Sequence, residues 1–279
     1  MSDKVLWING AFVAAAQARV SPLDRGMLYG DGLFETMRAE RGKVCRLDRH
    51  LARLSRGLAA LRITVADASE ASWSELLLRL LQENRLGDAI ASVKIVVTRG
   101  EKAGHGLPLP ARPTVLALCE PYTPPTADAY GRGWRLTPVR VDGAGGIGQH
   151  KTTSYLRLLV ARQEAVDGGG DEALLVDYDG MCIETGAGSL LVLGAHGWMK
   201  PTHPSQLAGI TVTAVTDLLA ARGLAVTPRP LALKEVQSAR AVWVTSSLAG
   251  IMPVSRLGEV ALPDLQADFA RELRLALFA

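Results

Sequence analysis

The sequence contains little cysteine, histidine or aromatic residue, and each shortage narrows the classes of protein that it can encode. Its 279 residues include three cysteines and five histidines, and only 5% are aromatic. Cys45, Cys119 and Cys182 show no metal-ligand spacing, and their odd number fits a reducing compartment. The histidines show no paired helical spacing either. We therefore expect packing roles for the cysteines and no metal site.

The chain also lacks an excess of charge of one sign and a long apolar run. Its 31 basic and 28 acidic residues give a net charge of +3, and the basic residues are scattered, so we expect no nucleic-acid partner. No apolar segment follows a basic amino terminus, and no run approaches ~18 consecutive apolar residues. We therefore expect neither export nor a membrane span, and hence a cytoplasmic protein. The hydrophobic content of 48% and charged content of 21% are typical of globular domains.

Strand and helix patterns alternate along the first half of the chain. The dipeptides Asn9-Gly10 and Arg41-Gly42 predict two hairpins. Leucines at three- and four-residue spacing predict a helix from 48 to 61 with Asp48 as its N-cap. A helix over 72–83 and strands over 89–98 and 113–118 follow. The Pro-rich segment 121–126 is the predicted linker between an N-terminal domain, 1–120, and a C-terminal domain, 127–279.

The second half continues the alternation, which indicates an α/β (mixed α+β) protein of two domains. The strand that opens it is predicted over 134–141, and a helix runs from 152 to about 166. An Asp-Gly turn at 178–180 indicates a further hairpin. The helix predicted over 210–222 ends before Gly223, which suits a left-handed C-cap. The last elements are a strand over 241–245 and a helix over 264–278.

Lys151 is the candidate catalytic group. It follows a Gly-rich run and precedes an apolar helical pattern, so it is expected at a loop-to-helix junction where its amine can face a cleft. A primary amine that is reachable as the neutral nucleophile can bond an aldehyde carbon. Burial and nearby positive charge favour that neutral form.

Four further motifs accompany Lys151 in a fixed order: 24–36 near the start, 183–189, 207–211 and 245–247. This order resembles the fold-type IV pyridoxal-phosphate enzymes, which include branched-chain and D-amino-acid aminotransferases and 4-amino-4-deoxychorismate lyase. The resemblance implies a smaller N-terminal α/β domain and a larger, barrel-like C-terminal α/β domain. It also implies pyridoxal 5'-phosphate as cofactor, a small-molecule amino substrate, and a homodimer in which a loop of one subunit covers the cleft of the other.

The resemblance assigns a role to each matching residue. Lys151 forms the Schiff base with the cofactor, and Glu184 holds the proton on its ring nitrogen. Arg53, in the pattern His50-x-x-Arg53-Leu54, binds the phosphate with its planar donors. The other residues implied to bind the cofactor are Tyr155, Leu207, Gly209, Ile210, Thr211, Ser246 and Ser247. The chain departs from the family pattern at Val212 and at Gly188-Ser189, which loosens the assignment to a subfamily.

The substrate is expected to meet one face of the strand that begins near residue 33 and the loop 99–106. Alternation puts Phe34 and Thr36 on one face and Glu35 on the other. The glycines of 99–106 predict a mobile loop, and Arg99 and His105 on it could contact substrate.

Two activities remain open after these motifs. The motifs at 34–38 and 246–254 resemble those of the lyases, which form 4-aminobenzoate and pyruvate for folate synthesis. Tyr155 instead favours an amino-acid aminotransferase, for D-amino or branched-chain substrates. A non-catalytic cofactor-binding protein is disfavoured, because Lys151 and Glu184 are both present.

Overall fold

The computed structural model describes residues 4–66, 69–109 and 112–279. Backbone proximity divides the chain into two compact units, the first made of Met1–Thr123 with His150–Tyr155 and the second of Pro124–Gln149 with Leu156–Ala279. The segment that carries Lys151 thus belongs to the first unit by its contacts. The domain limits derived from the sequence, 1–120 and 127–279 with a linker between them, stay a prediction.

The first unit contains one antiparallel sheet with strand order β2-β1-β6-β5-β3-β4. Its strands are β1 (Val5–Ile8), β2 (Ala11–Ala14), β3 (Gly32–Glu40), β4 (Lys43–Val44), β5 (Ala91–Thr98) and β6 (Thr114–Pro121). Both predicted hairpins are confirmed, and in each turn the two central residues have positive φ, as tight hairpins require.

Helices α1 (Arg25–Tyr29), α2 (Leu47–Ala60) and α3 (Glu70–Glu83) complete this unit. Leucines of α2 and α3 pack with alternate residues of β3, β5 and β6 in one apolar core. Each leucine fully buried in this way contributes about 1.5–3 kcal/mol. The predicted cap of α2 is wrong: the helix begins at Leu47, and Asp48 lies in its first turn. Ser69 caps α3, which therefore begins two residues earlier than predicted.

The second unit contains a mixed sheet of nine strands with order β12-β11-β10-β13-β14-β7-β8-β9, and β15 pairs with β14. Its strands are β7 (Trp134–Arg140), β8 (Glu172–Val176), β9 (Cys182–Thr185), β10 (Ser189–Gly194), β11 (Gly197–Pro201), β12 (Val226–Arg229), β13 (Ala241–Ser246), β14 (Gly250–Leu257) and β15 (Val260–Ala261). The last strand, β9, also approaches β10 and β11, so the sheet curls as a barrel-like fold does.

Five helices belong to the second unit: α4 (Ala127–Arg132), α5 (Leu156–Asp167), α6 (Ile210–Ala220), α7 (Leu233–Gln237) and α8 (Ala267–Leu277). β13 is buried on both faces, with Val242 and Val244 in one apolar cluster and Trp243 in another. The predicted start of α5 at residue 152 is wrong, since the helix begins at Leu156. Within the described ranges, no helix is both long and apolar enough to cross a membrane.

Candidate active site

The lysine predicted to be catalytic lies in an extended segment that pairs with the start of β3. The Phe34 N–H donates to the Lys151 carbonyl at 2.9 Å, and the Thr153 N–H donates to the Gly32 carbonyl, also at 2.9 Å. Gly32 is enclosed on both sides, because a Cβ there would lie 2.6 Å from the Val97 carbonyl oxygen on β5 and 3.2 Å from Thr153 Oγ1. Sheet-like hydrogen bonds therefore position Lys151. The helix that was predicted to follow it directly begins only at Leu156, after this extended segment.

Two aromatic rings flank the half-buried Lys151 side chain. Its Nζ lies 4.5 Å from the centroid of the Phe34 ring and 5.3 Å from that of Tyr155. The two rings meet edge to face with their centroids 5.2 Å apart. Ring faces attract an ammonium group within about 6 Å. Phe34 and Tyr155 thus restrict the positions that the amine can take, and Tyr155 lies beside the lysine, as the resemblance implied.

A second amine, which sequence reasoning missed, lies on the same face of the sheet. Lys94 pairs with Thr36 across β5 and β3, and its Nζ is 5.4 Å from the Phe34 ring centroid. Alternation in β5 separates Lys94 from its buried neighbours, but only the register of the sheet shows that it shares a face with Phe34 and Thr36. The Phe34 side of β3 therefore carries two primary amines and a hydroxyl.

The opposite side of β3 carries a buried charged cluster of Glu35, His50 and Arg53. Arg53 donates to both carboxylate oxygens of Glu35, from Nε at 2.7 Å and from Nη2 at 2.6 Å. His50 Nδ1 lies 2.7 Å from Glu35 Oε2. Burial raises the pKa of Glu35, but hydrogen bonds from Arg53 and His50 outweigh it, and the net pKa is lowered. Burial lowers the pKa of His50, while the hydrogen bond to Glu35 offsets part of that decrease.

This cluster sets the environment of Arg53, which is only 7% exposed. One edge of its guanidinium, Nε and Nη2, is committed to Glu35. Bidentate pairing of this kind fixes the plane of the group. The expected role of Arg53 toward a phosphate stays a prediction.

Arg99 is fully buried and does not reach outward from its loop. Its guanidinium donates to both oxygens of Asp31 and to the carbonyls of Leu61, Arg62 and Pro108, which uses all five of its N–H groups. Arg25 adds bonds to Asp31 and to the carbonyls of Gly104 and Gly106. These contacts assign Arg99 to anchoring the loop and do not support its expected role in binding substrate. His105, between the two anchored glycines, is exposed.

In the second unit, the start of α6 forms a small polar cradle. Gly209 is the N-cap residue of α6, with Ile210 and Thr211 buried behind it. A Cβ on Gly209 would lie 2.3 Å from the Ser189 Oγ. The first N–H groups of a helix have no acceptor within the helix and attract anions. The local geometry therefore fits a phosphate group.

Hydroxyl groups adjoin this cradle through the pairing of β10 and β13. Ser189 pairs with Thr245, and Ser246, the last residue of β13, precedes Ser247 in the turn to β14. Both Ser246 and Ser247 are half-buried, as is Leu207 ahead of α6. Ser189 thus links the helix start to β13, and the roles of Ser246 and Ser247 toward a phosphate stay a prediction.

Glu184 lies on β9, and only 8% of the residue is exposed. Its neighbour Ile183 enters an apolar cluster on the other face of the strand. After β9, a turn closes through two bonds to the Gly188 carbonyl, from the Thr185 N–H at 2.8 Å and from Thr185 Oγ1 at 3.0 Å. This turn connects Glu184 to Ser189 beside the cradle. A buried carboxylate suits a protonated heterocyclic nitrogen, as the ring of pyridoxal phosphate would present.

Comparison with known proteins agrees with this fold and these groups. The profile described as Amino-transferase class IV matches residues 32–257. A protein of Methanocaldococcus jannaschii assigned as a branched-chain-amino-acid aminotransferase is 32% identical over 252 residues, which cover 89% of this chain and 86% of that protein. Aminodeoxychorismate lyase of Bacillus subtilis is 26% identical, with 97% and 92% covered.

A solved structure shows the same fold. It is the branched-chain amino acid aminotransferase of Escherichia coli, with a TM-score of 0.89 at 22% identity. The match covers 99% of this chain and 95% of that chain, and it confirms the predicted fold-type IV architecture. The cofactor of the family is pyridoxal 5'-phosphate, and the chain belongs to the class IV aminotransferases, as a pyridoxal-phosphate-dependent enzyme of the lyase or transaminase type.

Proposed function

We propose that the protein is an aminodeoxychorismate lyase that forms 4-aminobenzoate and pyruvate. The observation that carries the proposal is the pair of amines on the Phe34 face, where Lys94 and Lys151 lie 5.4 and 4.5 Å from one ring centroid. Aminodeoxychorismate has an amino group for the first contact and two carboxylates for a second cation. Similarity to a lyase over 97% of the chain supports the same substrate class.

Lys151 performs the covalent and proton-transfer work in this proposal. Its amine would hold the cofactor through the aldehyde carbon and, once released, would be free to transfer a proton. Pyridoxal phosphate, when bound, supplies an electron sink beside the substrate carbon that bears nitrogen. Lys151 accepts the proton from that carbon, the C–O bond to the enolpyruvyl group breaks, and the ring becomes aromatic. The enolpyruvyl group leaves as an enolate and takes up on carbon the one proton that Lys151 accepted, which gives pyruvate, so the reaction consumes no water and no second substrate.

The remaining residues hold the cofactor. We infer that the Glu184 carboxylate faces the ring nitrogen and that Leu207 packs on the ring. Arg53, Ser246 and Ser247, with the backbone at Gly209, Ile210 and Thr211, meet the phosphate. On the Phe34 face, Thr36 and Lys94 receive a substrate carboxylate. This arrangement is supported by the buried position of Glu184 and by the helix start at Gly209.

An aminotransferase is the second candidate, and Tyr155 favours it. The Tyr155 ring centroid lies 5.3 Å from the Lys151 Nζ, and the tyrosine would support this lysine as it does in the branched-chain aminotransferases of the resemblance. The relative assigned as a branched-chain aminotransferase also favours this activity.

The test is an assay of the purified protein with and without a 2-oxo acid acceptor. We expect 4-aminobenzoate and pyruvate in equal amounts from aminodeoxychorismate with no acceptor, and slow reaction with L- and D-amino acids. Rapid turnover of leucine or D-alanine with 2-oxoglutarate, and none of aminodeoxychorismate, would establish the aminotransferase instead. Lys151→Ala protein is the control for any background reaction.

We also propose a cytoplasmic homodimer. Each unit exposes large apolar side chains on a helix, Met27 and Tyr29 in the first and Leu156, Leu159 and Val160 in the second. Exposed apolar groups close together in sequence are typical of association surfaces. Sedimentation at micromolar concentration should show a dimer, and a monomer alone would contradict the proposal.

A further inference from the structure

Glu172, the first residue of β8, is a buried carboxylate with no role so far. The residue is 1% exposed. Its Oε1 accepts the N–H of Ala173 at 2.9 Å and lies close to the backbone of Gly186. Arg162 on α5 approaches Oε2 at 3.6 Å. Burial raises the pKa of Glu172, and these donors offset part of the rise. A carboxylate is retained at such a position only when its donors compensate the loss of water.

The contact with Gly186 places this carboxylate beneath the turn that follows Glu184. A Cβ on Gly186 would lie 2.7 Å from Glu172 Oε1, so residue 186 must be glycine for the carboxylate to come so close. The Gly186 N–H donates to the Ala173 carbonyl of β8 at 3.3 Å. Glu172 and β8 therefore hold the backbone two residues after Glu184, while Thr185 closes the turn on the other side.

We propose that Glu172 is a positioning residue for Glu184, because it fixes the backbone from which the Glu184 carboxylate is directed at the ring nitrogen of the cofactor. This inference rests on the proposed function, in which Glu184 meets that nitrogen. Glu172 itself touches neither cofactor nor substrate. Its effect must therefore vanish when Glu184 can no longer hold the proton.

The two oxygens of Glu172 have different partners, and this difference provides matched variants. Oε1 is the atom bonded to Ala173 and closest to Gly186, whereas Oε2 faces Arg162. Glu172→Gln retains a carbonyl oxygen for the backbone donors. Glu172→Leu has similar volume but no acceptor, so it leaves the Ala173 N–H without its partner and removes the carboxylate oxygen that lies against Gly186.

The primary readout is the ¹⁵N resonance of the ring nitrogen in holoenzyme loaded with ¹⁵N-labelled pyridoxal phosphate. We expect the protonated position in the parent and in Glu172→Gln, and a shift toward the unprotonated position in Glu172→Leu. Glu184→Gln defines the unprotonated reference. The turnover number of Glu172→Leu should fall about tenfold, as the loss of one hydrogen bond to a charged group would produce, with KM unchanged. Glu235→Gln, which changes an exposed ion pair with Arg229, is the control and should alter neither property.

A double mutant then separates positioning from general damage to the fold. Glu172→Leu should add no loss to Glu184→Gln, because both act through one hydrogen bond. A fully additive loss, or an unshifted resonance in Glu172→Leu, would overturn the proposal. If Glu172→Leu does not fold, Gly186→Ala replaces it in the double-mutant cycle, since a Cβ at residue 186 would displace Glu172 Oε1 from its position against the turn. An unshifted resonance in Glu184→Gln would overturn the role of Glu184 and of Glu172 together, while borohydride labelling of Lys151 would still report on the proposed function.

Discussion

Replacement of Glu35 by glutamine tests the buried charged cluster of the first unit. The parent carboxylate is 1% exposed and accepts three hydrogen bonds, two from Arg53 and one from His50. An amide has one acceptor oxygen, so its NH₂ group must face a donor of Arg53 or His50. Removal of one partner from a buried ion pair costs about 3–5 kcal/mol. That is a large part of the about 5–15 kcal/mol that stabilises a typical domain.

The pH dependence gives the prediction its sign. The pKa of Glu35 in the folded protein lies below its ordinary value of 4.5. The carboxylate therefore stabilises the fold above about pH 4.5, and this contribution is lost as the pH falls through the folded pKa. The difference between parent and Glu35→Gln should be largest near pH 7 and should shrink below pH 4.5.

Urea denaturation at several pH values measures the effect. Glu120→Gln, which removes an exposed ion pair with Lys4, is the control and should cost about 0–1 kcal/mol. Two results would contradict an ionised Glu35 paired with Arg53. One is a decrease of less than about 1 kcal/mol in the free energy of unfolding of Glu35→Gln at pH 7, and the other is a decrease that stays constant down to pH 3.

Three further predictions concern the site. Arg53→Ala should lower cofactor retention during dialysis, because a phosphate-binding cation is lost, while leaving the visible spectrum of bound cofactor unchanged; equal retention would contradict the phosphate role. Lys94→Met should raise the KM for aminodeoxychorismate about tenfold and leave the KM for a monocarboxylate amino acid unchanged in steady-state kinetics. An equal rise in both KM values would exclude a contact between Lys94 and the second carboxylate. Gly209→Ala should weaken cofactor affinity, since its Cβ would lie 2.3 Å from Ser189 Oγ. Equilibrium titration measures this affinity, and an unchanged value would show that the cradle does not bind the phosphate.

Local patterns predict much of the fold because their causes are local. The turn at Asn9-Gly10 needs positive φ at both residues, and asparagine and glycine adopt this conformation readily. The leucines of α2 indicate its core-facing side by spacing alone. The short helix α1 escapes sequence reasoning, because only its cap, Asp24, and five residues mark it. β14 escapes it as well, since the motif at 246–254 points to function and not to a strand.

The errors at the site come from contacts that are distant in sequence. From the sequence alone, Arg99 resembles a solvent-facing loop residue, because its partner Asp31 lies 68 residues earlier in the chain. The sequence assigns Lys151 to a helix start because its pairing with β3, more than a hundred residues earlier, leaves no local signal. Lys94 escapes notice for the same reason, because register is a property of two strands and not of one.

The most direct measurement of the central claim is the site of covalent attachment. Holoenzyme reduced with borohydride and digested should give a single phosphopyridoxyl peptide that contains Lys151, and Lys151→Ala protein treated in the same way should give none. Attachment to Lys94, which lies on the same face of β3, or to Lys200 would contradict the account and move the chemistry to another amine.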